Sequence, residues 1–171
     1  MLNLFLPNQH VKSIFDIKPA ELTEKGIKGI ITDLDNTLVA WNQPEATPEI
    51  TEWFNQMKEH HIKVTIVSNN NQERVQFFCE PLSAPFIFRA RKPLRRAFRK
   101  ATKKMGLKND EVVVIGDQLM TDIFGGNVAG LYTILVVPIL QTDGKLTRLN
   151  RKIERYILRQ LRKKGKITWE E

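Results

Sequence analysis

The stretch Ile30-Ile31-Thr32-Asp33-Leu34-Asp35-Asn36-Thr37 decides how the rest of the chain reads. A β-branched run, Ile27–Asp33, ends in two carboxylates with one residue between them. Carboxylates just past a buried strand are costly unless a cation faces them. Such a pair alone is most often a turn, so its meaning rests on what other strands bring to the same edge.

Four further runs are bounded by polar residues, Gly or Pro: Ile62–Val67, Phe86–Phe88, Val112–Ile115 and Leu131–Val136. Unbroken apolar runs of this kind suit parallel strands buried on both faces. Helical patterns lie between them. Thr47-Pro48-Glu49 supplies an N-cap, a proline at the first position and an acid in the first turn. Ile50, Trp53, Phe54, Met57 and His61 follow at helical spacing. A second helix starts near Gln72. A third opens with Pro93, carries Leu94, Ala97, Phe98, Ala101 and Met105 as its stripe, and stops at Gly106. A short fourth runs from about Leu119 to Ala129, weakened by Gly125 and Gly126. The alternation predicts an α/β fold: a doubly wound, Rossmann-like parallel sheet of about five strands with right-handed crossovers. With 171 residues and no internal repeat, the chain reads as one domain, 1–171, with its core at about 25–140.

In that architecture ligands bind beyond the carboxyl ends of the strands. After the first strand come Asp33, Asp35 and Thr37. The second ends in Ser68-Asn69-Asn70, the third is followed by Lys92 before a helix, and the fourth ends in Gly116-Asp117 with Thr121-Asp122 shortly after. Each piece alone is a turn, a cap or a solvated charge. In this order, each at a strand end, they bring a carboxylate pair, a hydroxyl, an ammonium and a second carboxylate pair to one edge.

These residues resemble the four motifs of the haloacid dehalogenase (HAD) superfamily of phosphotransferases: Asp33-Leu34-Asp35-Asn36-Thr37, Ser68, Lys92, and Gly116-Asp117 with Asp122. More narrowly, Gly116-Asp117-Gln118 with Thr121-Asp122, and Pro7-Asn8-Gln9-His10, look like the YqeG family of HAD subclass IIIA. That family is similar to mitochondrial phosphatidylglycerophosphate phosphatases. The resemblance implies that Asp33 is a nucleophile forming an aspartyl-phosphate, that Asp35 is the general acid and base, and that Thr37 orients the loop. It implies phosphate binding by Ser68, Asn69 and Lys92. It implies Mg²⁺ held by Asp33, the backbone carbonyl of Asp35 and Asp117, with Asp122 supporting them through water. Thr37 to Ser68 and Ser68 to Lys92 are each just long enough for the sheet's own elements, so no cap domain is expected. An open site suits a substrate whose bulk stays outside.

The charge of +8 is unevenly spread. Residues 89–108 hold ten basic residues and no acid, and 145–166 hold ten with one acid, Glu154. The remainder carries seven basic against eighteen acidic residues. Such asymmetry points to an anionic partner. Arg148–Lys164 reads as a basic amphipathic helix with Leu149, Ile153, Ile157 and Leu161 on one face. It fits an anionic membrane surface, or a helix packed on the sheet with a solvated basic face. Leu2, Leu4, Phe5 and Leu6 fit core closure or a shallow membrane contact equally well. A nucleic-acid or ribosome-binding protein with a vestigial site is the weaker alternative, because Asp33, Asp35, Ser68, Lys92 and Asp117 are all present. No stacking-aromatic RNA signature occurs, and the chain has only two Tyr. The expected substrate is thus a phosphomonoester, with phosphatidylglycerophosphate favoured over a nucleotide, a sugar phosphate or a nucleic-acid end. Cys79 alone excludes a disulfide framework and a Cys-based zinc site. Met1 to Pro7 lacks the charged start and long apolar run of a signal peptide, and the expected location is the cytoplasm, with peripheral membrane contact open.

Overall fold

The structure, a computed structural model, describes residues 2–141 and 145–169, with backbone alone for 145–149. Six parallel strands form one sheet, β1 (Gln9–Val11), β2 (Gly29–Thr32), β3 (Lys63–Val67), β4 (Phe86–Ile87), β5 (Val112–Gly116) and β6 (Tyr132–Val136). Their order across the sheet is β1-β6-β5-β2-β3-β4. The helices are α1 (Pro19–Glu24), α2 (Pro48–Glu59), α3 (Gln72–Cys79), α4 (Arg95–Met105), α5 (Phe124–Ala129) and α6 (Lys145–Lys163). This is the expected doubly wound α/β architecture with one strand more than expected.

The extra strand is β1, three half-buried residues paired with Ile134–Val136 of β6. A run that short lies below the length at which alternation is visible in a sequence. Asn8 fixes it from outside: its N–H donates to Thr133 O (2.9 Å), and its Oδ1 accepts from Thr133 N–H (2.8 Å). The expected start of α4 also moves. Leu94 N–H closes a turn on Arg91 O (3.0 Å), Leu94 is extended and largely exposed, and the helix begins at Arg95. The fourth helix is split, a π-helical turn over Leu119–Ile123 preceding α5. Gly126 weakens α5 in isolation but lets it lie on the sheet, since a Cβ there would sit 2.7 Å from Thr133 Cγ2.

The other helix signals appear as read, except that α2 ends at Glu59. His61 takes a left-handed backbone (φ 56°) that cannot continue the helix, and it lies exposed beyond the apolar stripe. Thr47 Oγ1 accepts from Ile50 N–H (3.3 Å), and Ile50, Trp53 and Met57 are buried. Gly106 ends α4 in the left-handed region at φ 70°. Ala97, Phe98, Ala101 and Met105 pack under the sheet with Ile31, Val112 and Val114. Cys79 is buried, and burial pushes its thiol up to about 12. It is inert.

A third apolar cluster bears on two open readings. Ile157, Leu158 and Leu161 of α6 pack on Leu119, Ile123 and Leu135, with Leu2, Phe5 and Leu6 against them. Phe5 stacks on Phe124 at 4.7 Å. Leu2, Phe5 and Leu6 therefore close the core while Leu4 stays exposed, and the face of α6 bearing Ile157 and Leu161 is internal. Ile153 lies at its margin, 39% exposed, and the side chains of Arg148 and Leu149 lie outside the described residues. Among the described residues no helix is long and apolar enough to cross a membrane.

Candidate active site at the carboxyl edge

The sheet register levels the strand ends. Thr32 pairs with both Ile66 and Ile115, so Asp33, Ser68 and Asp117 follow within a residue or two of the same height. Asp33 N–H still donates to Ile115 O (3.0 Å), which pins the first site residue to β5.

Lys92 is the hub. Its Nζ donates to Asp33 Oδ1 and to Asp122 Oδ1, each at 2.7 Å, and all three groups are buried. Burial works against the ammonium, but Asp122 and Asp33 outweigh it and raise Lys92 above the ordinary lysine range. The lysine is therefore a fixed cation at any physiological pH. Asn69 holds its main chain from both sides, accepting from Lys92 N–H (2.7 Å) and donating to Lys92 O (3.2 Å). Of the three residues expected to bind phosphate, Asn69 thus spends its amide on placing another. Ser68 Oγ accepts from Asn70 N–H (3.1 Å), which leaves its hydroxyl proton to donate.

Asp33, Asp117 and Asp122 each offer a carboxylate oxygen, and these oxygens lie within 4.8 Å of one another. Thr37 Oγ1 donates to Asp117 Oδ1 (3.1 Å). Burial, with the Asp33 charge added, lifts Asp117 well above the usual carboxylate range. Burial lifts Asp122 to about 6 against the pull of Lys92. Gly116 is required here, because a Cβ at that position would overlap the Asp122 carboxylate. Hard oxygen donors, crowded and desolvated, are a donor set that fits a hard divalent cation.

Asp35 stands apart. Asn36 (φ 62°) turns the chain, and Asn36 N–H donates to Val39 O (2.7 Å). Asn70 Nδ2 donates to Asp35 Oδ2 (2.9 Å), and Arg74 donates to Oδ1 from Nε (3.2 Å) and Nη2 (3.0 Å). Arg74 also ties the following loop through Gln43 O and Pro44 O, both at 2.8 Å. Burial raises the Asp35 carboxyl despite these donors. Arg74 was not foreseen. Its place three residues after the Asn71 cap, on the helix that Ser68-Asn69-Asn70 introduces, was the available signal.

A second unforeseen arginine comes from α6. Arg151 Nη1 donates to Asp117 O (2.9 Å), Nη2 donates to Asp117 Oδ2, and Glu154 Oε2 accepts from Nη1 (3.1 Å). Between Thr37 and Ser68 the chain builds only α2 and β3, and between Ser68 and Lys92 only α3 and β4. Among the described residues no cap domain stands over the edge. Beside it, Lys12, Phe15, Thr37, Leu38, Val137 and Ile139 line a mostly apolar hollow of about 500 Å³.

Comparison with known proteins agrees with this geometry. The family model for haloacid dehalogenase-like hydrolases matches residues 13–130. The chain is 60% identical to the "Probable phosphatase YqeG" of Bacillus subtilis (strain 168), over 98% of this chain and 97% of that protein. It is 26% identical to the chloroplastic/mitochondrial phosphatidylglycerophosphate phosphatase 1 of Arabidopsis thaliana, over 94% of this chain and 49% of that protein. Among solved structures, the cobalt-bound deoxy-D-mannose-octulosonate 8-phosphate phosphatase of Haemophilus influenzae shares the fold, with TM-score 0.52 and 17% identity over 79% of this chain and 89% of that one. The chain belongs to the haloacid dehalogenase-like hydrolases and is an enzyme of their phosphatase branch.

Proposed function

We propose that the chain is a Mg²⁺-dependent phosphomonoester hydrolase that works through an aspartyl-phosphate on Asp33. The observation that carries this reading is the gathering of Asp33, Asp117 and Asp122 around Lys92, with Asp35 held separately beside them. An Asp33 oxygen attacks phosphorus, and the bond to the leaving alkoxide breaks. Asp35 supplies the alkoxide with a proton, then takes one from the water that attacks the aspartyl-phosphate and releases phosphate. Ser68 and Lys92 bind phosphoryl oxygens, and Asn69 acts by holding Lys92 in place. Asp33, the Asp35 carbonyl and Asp117, with Asp122 behind them, would hold a Mg²⁺ ion, which would supply positive charge beside the phosphoryl group. Burial raises Asp35, which favours the protonated form that the first step needs.

The favoured substrate is phosphatidylglycerophosphate, giving phosphatidylglycerol. The likeness to the Arabidopsis enzyme, the open edge and the apolar hollow beside Thr37 support it. The protein would work in the cytoplasm and meet an anionic membrane peripherally. The surface for this contact is the outer face of α6, where Lys152, Ile153, Arg155, Tyr156, Arg159 and Lys163 are exposed. Contact there is shallow and mainly electrostatic, since Ile157 and Leu161 are committed to the core.

The test is hydrolysis of phosphatidylglycerophosphate in vesicles beside nucleotide and sugar phosphates, in Mg²⁺, with Asp33→Asn as the blank. Asp33→Asn should melt as wild type and turn over nothing. Retention of more than about a tenth of the activity would overturn the covalent mechanism. Chelation should abolish turnover, and Mg²⁺ but not Ca²⁺ should restore it, because calcium's larger and looser shell spoils the in-line attack. A soluble phosphate hydrolysed faster than the lipid would overturn the substrate reading alone.

A further inference from the structure

We infer that α6 is a positioning element of the metal site: Arg151 and Glu154 hold Asp117, and the turn that carries Asp122, in the arrangement that binds a divalent cation. The inference rests on the metal-dependent reading above and adds to it residues beyond the matched family region, which ends at residue 130.

Arg151 grips Asp117 twice, once at the main-chain carbonyl (2.9 Å) and once at carboxylate Oδ2. A guanidinium that binds both the backbone and the side chain of one residue fixes the rotamer as well as the position. Thr37 fixes the other oxygen, Oδ1. Glu154, one turn along the same helix face, accepts from Arg151 through Oε2 (3.1 Å) and from Met120 N–H through Oε1 (3.0 Å). Met120 lies in the π-helical turn Leu119–Ile123 that presents Asp122. One i,i+3 pair on α6 therefore reaches both Asp117 and the Asp122 turn.

Packing does not require this pair. Ile157, Leu158 and Leu161 already anchor α6 on Leu119, Ile123 and Leu135. Glu154 is buried and Arg151 is mostly so, and buried ion pairs add little stability over apolar residues of similar volume. Their geometric effect is larger, because partners behind metal ligands set ligand orientation and typically change metal affinity by about 10–100-fold. The opposite possibility has the opposite sign. If Arg151 merely occupied the place of a cation, its removal would tighten metal binding.

The experiment is Mg²⁺ titration by calorimetry, with Mn²⁺ binding by electron paramagnetic resonance in parallel, on the full chain without substrate. Each variant is melted in chelator first. Arg151→Ala and Glu154→Gln should weaken Mg²⁺ about 10–100-fold, with Arg151→Lys between them and wild type. Arg155→Ala, on the outer face, should bind as wild type. Leu161→Ala should lower the melting temperature and leave Mg²⁺ affinity unchanged, which separates packing from positioning. If Arg151→Ala does not fold, Glu154→Gln and Arg151→Lys carry the test. Unchanged or tighter binding in folded variants overturns the inference and leaves the metal-dependent reading standing. Absence of Mg²⁺ binding by wild type overturns both.

Discussion

Asp35 and Asp117 are both strand-end carboxylates gripped by an arginine from a distant helix, yet their surroundings differ. The side chain of Asp35 is 22% exposed and meets Arg74 and Asn70 at the mouth of the edge. That of Asp117 is fully enclosed, with Thr37 and Arg151 on its two oxygens. A group that must exchange protons with an alkoxide and then with water needs access to both. A group that must hold a cation in one place needs burial and fixed partners. In the proposed mechanism the two flanks divide proton transfer from cation holding, and their difference in burial fits that division.

The largest break in this comparison comes from Asp35→Asn. It should cost roughly 10²–10⁴ in rate on substrates with poor leaving groups and far less on p-nitrophenyl phosphate, with Mg²⁺ affinity unchanged. A uniform loss on both substrates would place Asp35 with the cation-holding groups instead. Arg74→Ala should act on the same flank with a smaller loss. It removes a cation that favours ionised Asp35, so the carboxyl rises further and the alkaline limb of the kcat–pH profile moves up. A limb that stays in place or moves down would mean that Arg74 serves only the loop at Gln43 and Pro44.

Stability against pH sharpens the other flank. Asp122 ionises at about 6 in the folded chain against 3.8 for an ordinary aspartate, and Asp117 is raised in the same direction. Between these values the folded state binds more protons than the unfolded one. Metal-free protein therefore loses stability as pH rises from about 4 through about 6. If Mg²⁺ binds the ionised carboxylates as proposed, it should restore the loss by mass action. Thermal melts in chelator across that window should fall for wild type relative to Asp122→Asn, and the gap should close with Mg²⁺. Parallel curves in chelator would mean that Asp122 is charged throughout and fully neutralised by Lys92.

The expected half of the site lies where runs of apolar residues stop: Asp33, Ser68, Lys92 and Asp117 each follow a strand, and topology alone brings them to one edge. The supports could not be read that way. Arg74 meets Asp35 across 39 residues and Arg151 meets Asp117 across 34, and both reach from helix faces whose orientation depends on packing. One signal was present in the chain. Glu154 is the sole acid among ten basic residues in 145–166, three places after Arg151, and a lone acid in a basic helix marks a paired, buried position. The strand β1 left no such trace, since Gln9-His10-Val11 is short, half-buried and held by Asn8 from outside the run. Helix α6 was visible as amphipathic, but amphipathicity does not say whether the apolar face meets lipid or protein, and here Ile157 and Leu161 meet Leu119 and Ile123.

The smallest expected effect lies on α6 itself, whose two faces repeat the contrast between buried and exposed charge. Arg151 and Glu154 face inward, whereas Arg155 and Arg159 are exposed and close to Ile153 and Tyr156 in sequence. A basic residue near an anionic bilayer contributes about 1 kcal/mol, or roughly fivefold in binding. Arg155→Ala with Arg159→Ala should therefore weaken binding to phosphatidylglycerol vesicles about 25-fold, and more salt should erase the difference. Turnover of soluble p-nitrophenyl phosphate should not change, because neither residue reaches the strand-end carboxylates. The basic face of α4, with Arg95, Arg96 and Arg99 exposed, is the internal comparison. If its alanine variants weaken vesicle binding as much as those of α6, the attraction is a property of net charge and not of the helix. If they instead abolish a salt-steep affinity for nucleic acid that the α6 variants keep, α4 has a partner of its own, and the two basic segments serve different anions.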